Sequence, residues 1–118
     1  MAPNVLVFAW NRSLPGRESM SAQHFQEFLE YLAGEQRKGQ VESFEPVLVD
    51  PHGGSVNGWI LIRGEPGKLN DLAASREWLQ HLTRALLHLD GASVLRGVTG
   101  PVLMERMDMW IRAIPGKD

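Results

Sequence analysis

The chain has 118 residues, a formal charge of -2 and no cysteine. The missing cysteine excludes disulfides, thiolate metal centres and a cysteine nucleophile, and the near-neutral charge argues against a phosphate-binding surface, so no nucleic-acid partner is expected. With 43% hydrophobic and 22% charged residues, the chain has ordinary globular composition and can bury a core without covalent staples, so residues 1–118 read as one domain.

The first predicted strand is Asn4-Val5-Leu6-Val7-Phe8-Ala9-Trp10-Asn11. Val5, Val7 and Ala9 share one face, and Leu6, Phe8 and Trp10 share the other. A strand apolar on both faces is buried on both. The apolar run is far short of the roughly 20 residues that span a bilayer. No basic segment precedes it, as a signal peptide would require. A cytoplasmic protein without membrane contact is the expectation. Pro15-Gly16 marks a loop over 12–19. Ser21 is the expected N-cap of a helix of about four turns, with Ala22, Phe25, Phe28, Leu29, Leu32 and Ala33 on its apolar face. Gly39 closes it.

The second strand covers 41–49, and Pro46, which has no backbone donor, places it at a sheet edge. A long loop, Asp50-Pro51-His52-Gly53-Gly54-Ser55-Val56-Asn57, turns into Gly58-Trp59-Ile60-Leu61-Ile62-Arg63-Gly64. That apolar run, bounded by glycines, reads as a buried strand. Pro66 suits a first helical turn. Ser75 caps a longer helix whose expected inner stripe is Trp78, Leu79, Leu82, Leu86 and Leu89. A weaker strand spans 92–99. Gly100-Pro101 opens a last helix with the stripe Leu103, Met107, Trp110, Ile111 and Ile114.

The order β-α-β-β-α-β with a central hairpin predicts an α+β, ferredoxin-like antiparallel sheet with helices on one face and an added C-terminal helix. Strands one and three take the centre. An uncovered face carrying Phe8, Trp10, Trp59 and Leu61 would be a large apolar patch. A second copy pairing sheet to sheet about a two-fold axis is the expected cover, with the C-terminal helix covering part of that face or crossing between subunits.

This element order, the doubly apolar first strand and the extra helix resemble the dimeric α+β barrel superfamily. Pro51-His52-Gly53-Gly54, residues 58–64 and Gly97-Val98-Thr99-Gly100 are similar to uncharacterised bacterial members of it. That group also contains antibiotic-biosynthesis monooxygenases, muconolactone isomerases and stress-responsive barrel proteins. The resemblance implies a homodimer with a cleft between helices and sheet or between the two sheets. It does not imply a particular chemistry.

Candidate ligand residues are Trp10, Asn11 and Arg12, beyond the C-terminal end of the first strand, and Trp59 with Arg63, where a guanidinium beside an indole suits an aromatic anion. Arg63 also reads as a strand-end arginine that reaches solvent or pairs with a carboxylate across the dimer, the commoner case because arginine snorkels readily. His52 is the catalytic candidate, since imidazole titrates near neutrality. In its loop His52 also reads as a turn residue at the hairpin tip, where the following glycines supply positive φ. Glu77, His81, Arg84 and His88 read as a solvated helix face, and His24 as a surface residue. There is no HExxH, P-loop, GxGxxG or GxSxG motif, so neither metal nor cofactor is expected.

Three functions remain open: a small homodimeric ligand-binding protein or cofactor-free enzyme whose ligand is an apolar or aromatic molecule, anionic ones included; a non-catalytic dimerisation or regulatory domain; and an amino-acid-sensing effector module.

Overall fold

The computed structural model describes residues 2–116. Four strands, β1 (Val5–Trp10), β3 (Ser43–Leu48), β4 (Gly58–Arg63) and β6 (Ser93–Gly97), form one antiparallel sheet in the order β3-β4-β1-β6. The central pair is β1 and β4, the two most apolar strands, and β3 with Pro46 is an edge. A two-residue ribbon pairs β2 (Arg12–Ser13), inside the stretch expected to be loop, with β5 (Leu89–Asp90), so Leu89 lies in a strand and not on the helix stripe where it was expected. The helices are α1 (Glu18–Arg37), α2 (Pro66–Ala74), α3 (Arg76–His88) and α4 (Leu103–Arg112), the last preceded by a 3-10 turn at Gly100–Val102. This is the ferredoxin-like α+β fold, with α1 as one crossover and α2 plus α3 as the other.

Local chemistry accounts for the boundaries. The Glu65 carboxylate accepts from the Gly67 amide at 3.3 Å with Pro66 opening α2, and Ser75 Oγ accepts from the Trp78 amide at 3.3 Å to start α3. Gly39 ends α1 at φ +80°. Ser21 is not the N-cap of α1, which starts three residues earlier; its hydroxyl faces inward instead.

The core lies between the sheet and α1–α3. Leu6, Phe8, Ile60 and Ile62 of the sheet meet Phe28 and Leu32 of α1, Leu69 and Leu72 of α2, and Trp78 and Ala85 of α3. The register pairs Leu6 with Ile62, Phe8 with Ile60 and Trp10 with Gly58, so these residues share one face. This corrects the expected patch: Phe8 and Trp10 lie under the helices, because cross-strand partners point the same way. The opposite face carries Val7, Ala9, Trp59, Leu61, Arg63 and Leu95. No residue of α4 is buried. Among the described residues no helix is long and apolar enough to cross a membrane.

Candidate functional site

At the C-terminal end of β1, the sheet, α1, α3 and the β3–β4 loop line an open-mouthed cavity of about 740 Å³. Its wall is aromatic. Phe8 packs on Phe28 with ring centres 5.3 Å apart, and Trp10 meets Phe25 edge-on at 6.0 Å. The Trp10 indole lies across Gly58, where a Cβ would sit 2.4 Å from the ring. Glycine is required there for the indole to reach the cavity.

The rim is polar. Asn11 joins three segments. Its Nδ2 donates to the Asp90 carboxylate at 2.9 Å, its Oδ1 accepts from Asn57 Nδ2 at 2.7 Å, and its amide donates to the Asp90 carbonyl at 2.9 Å. Arg12 and His52 also line the cavity. The Arg12 guanidinium has no hydrogen bond or ion pair among the described residues. His52 Nδ1 accepts from the Gly54 amide at 3.1 Å, which makes its Nε2–H the donor to the Val56 carbonyl at 2.8 Å. Both nitrogens of His52 therefore hold the loop in shape.

Of the sequence candidates, Trp10, Asn11, Arg12 and His52 come together here, whereas Trp59 and Arg63 do not. Trp59 lines a smaller hollow of about 300 Å³ on the opposite sheet face. Arg63 is half-buried on that same face.

Three histidines stand in the helix-side wall of the cavity. His24 of α1 is 4% exposed and His88 of α3 is 2% exposed, so the readings of His24 as a surface residue and of His88 as part of a solvated face are corrected. His81 is half-buried between them and Tyr31, with ring centres 4.6 Å apart from the latter. The groups form a linear string. Ser13 Oγ lies 2.6 Å from Ser21 Oγ, and Ser21 Oγ lies 2.7 Å from His88 Nδ1. His88 Nε2 is 2.8 Å from His24 Nδ1, and His24 Nε2 is 3.0 Å from His81 Nδ1. Among the described residues no group of three or more histidine or acidic side chains is arranged to hold a metal ion; the imidazole nitrogens face one another in series.

Burial drives the pKa of His24 down to about 4, reinforced by the Arg84 guanidinium and the neighbouring imidazoles. Burial and then Arg84 lower His81 and His88 as well, with Arg17 adding to the effect on His88. Arg84 pairs with Glu27 across α1 and α3, and its hydrogen bond holds that carboxyl below its usual range. All three imidazoles are therefore neutral at pH 7. Each carries one N–H and one lone pair, so the string runs one way along its whole length.

The sequence carried a signal for this wall. His24 stands four residues before Phe28, and Trp78, His81, Ala85 and His88 follow a 3-4-3 spacing that marks one helix face. The competing leucine stripe on α3 hid it.

No known family model matches the chain, and no curated protein matches it in sequence. Among solved structures it is similar to a dimeric protein of unknown function and ferredoxin-like fold from Bacteroides fragilis. The two are 12% identical, with a TM-score of 0.56 over 80% of this chain and 95% of that one.

Proposed function

We propose that this protein is a homodimeric small-molecule binder, and that its ligand is an apolar or aromatic body bearing an anionic group. The observation that carries this reading is the cavity of about 740 Å³ walled by Phe8, Trp10, Phe25 and Phe28. A concave, mostly apolar space with a few convergent polar groups is the usual form of a ligand site. Arg12 at the rim supplies a charge without a protein partner, suited to a carboxylate. Trp59 and Arg63, on the other face, would meet a ligand only between paired subunits.

The alternative, an assembly domain without a ligand, draws on the uncovered apolar sheet face and on the dimeric state of the similar Bacteroides protein. Calorimetric titration with 2-naphthoate separates the two readings. Saturable binding is expected, abolished by Trp10→Ala and weakened about tenfold by Arg12→Ala, as loss of a charged hydrogen bond implies. An absence of binding, or binding indifferent to both substitutions, leaves the assembly reading.

A further inference from the structure

We infer that the Ser13–Ser21–His88–His24–His81 string is a proton relay that opens into the cavity at His81 Nε2, making the cavity a general-base site for an aromatic carbon acid. This rests on the binding reading of the same cavity.

The three imidazoles have six nitrogens. Five are occupied within the string: both of His88, both of His24 and Nδ1 of His81. His81 Nε2 is the one left without a partner among the described residues, and His81 lines the cavity. A neutral string of this kind has two orientations. In one, His81 Nε2 bears a hydrogen and every donor points from Ser13 toward His81. In the other, His81 Nε2 is a lone pair and every donor points toward Ser13. Passing between them takes in a proton at one end and releases one at the other.

The surroundings favour transfer over storage. Arg84 and Arg17 disfavour an imidazolium resting in the string, while Glu27 is tied to Arg84, and Glu77 acts on His81 from its own helix. A single buried histidine taking a proton would have to hold the charge there. The string hands it on to half-buried Ser13 beside the exposed Arg12. His52 has no such capacity, because both its nitrogens are engaged in the loop.

The probe is 5-nitrobenzisoxazole, an aromatic carbon acid whose reaction needs only a base. His81 Nε2 takes the proton from the ring C–H, the C–H electron pair forms the nitrile, and the N–O bond breaks to leave a phenolate. The Nδ1 proton of His81 moves to His24 Nε2, that of His24 to His88 Nε2, and that of His88 to Ser21 Oγ. Ser21 passes its own proton to Ser13, and Ser13 to water; the string resets when His81 Nε2 gives up its proton to the departing phenolate or to solvent in the cavity and Ser13 takes one up from water.

The intact protein is expected to turn over the probe faster than free imidazole at equal concentration. His81→Phe, which keeps a ring against Tyr31, should lower the rate about a hundredfold, within the usual range for general-base catalysis. Ser21→Ala, at a residue that also lines the cavity, should lower kcat by less than His81→Phe does and by more than it changes KM. In the unsubstituted protein the loss of rate on acidification should be centred below about 6.5, where an ordinary imidazole loses its base form, because burial and Arg84 lower His81; a fall centred at about 6.5 or above overturns the buried string as the base, whether or not the variants fold. A probe that binds yet reacts no faster than in imidazole, or reacts equally in folded His81→Phe, also overturns it. A probe that neither binds nor displaces 2-naphthoate overturns the cavity reading instead.

Discussion

His24 carries a consequence for folding as well as for chemistry. Its pKa is about 4 in the folded chain against an ordinary value of 6.5. Between those values the unfolded chain binds a proton that the folded chain refuses. Stability therefore falls as pH drops from about 6.5 toward 4, and this contribution is level above 6.5. His81 and His88, shifted the same way, add to the trend. Urea unfolding should give a lower midpoint at about pH 5 than at about pH 7.5, with the gap narrowed in His24→Phe. An equal gap in both proteins would mean that other groups carry the pH dependence. The residues legible at this scale were those whose chemistry shows in their neighbours along the chain: Ser75 as a cap, Pro66 as a first-turn residue, Gly39 as a helix end and Pro46 as an edge residue. The histidine string was not legible, because its links join residues 57 to 67 positions apart.

At the scale of the element, α3 shows how periodicity misleads when two apolar stripes lie side by side on one helix. Trp78, Leu79, Leu82, Leu86 and Leu89 fit a helical stripe, but Leu79 and Leu86 are exposed while Trp78, Ala85 and His88 are buried. Residues 79 and 86 lie one position beyond 78 and 85, about 100° around the helix. The sheet and α1 chose the narrower face. Trp78 fills the space under Phe28, and Ala85 is small enough for close approach of the helix to the core. Two substitutions one residue apart test this orientation. Ala85→Leu, at a position with 0% exposure, should cost about 1–3 kcal/mol through overpacking. Leu86→Gln, at 56% exposure, should change stability by less than about 0.5 kcal/mol. Denaturant midpoints with unchanged slopes read both. The reverse ranking would place the leucine stripe inward.

For the whole molecule, the radius of gyration is 16.2 Å, whereas about 13.5 Å is typical of a compact chain of this length. The excess agrees with α4, whose Leu103, Met107, Trp110 and Ile111 follow the expected apolar stripe yet are all exposed, Trp110 by 63%. With Val7, Trp59, Leu61 and Leu95 on the uncovered sheet face, this is more apolar surface than a solitary chain usually carries. A second copy is the cover proposed above. Sedimentation velocity should find a dimer, and Leu61→Glu, which sets a carboxylate on each face to be paired, should shift it to monomer. A monomeric parent protein would remove the reason for the sheet pairing.

Element order, strand alternation and the position of Pro46 were sufficient for the ferredoxin-like topology. They arise from local sterics and from the two-residue period of a strand, both of which are written along the chain. Trp10, Asn11 and Arg12 could be gathered at one end of β1 for the same reason. Only the tertiary structure decided which side of the sheet holds the large cavity, which face of α3 turns inward and which histidines meet. Those outcomes depend on how helices distant in sequence pack together, where the fit of Trp78, Ala85 and the imidazoles between α1 and α3 outweighs the count of leucines on either side.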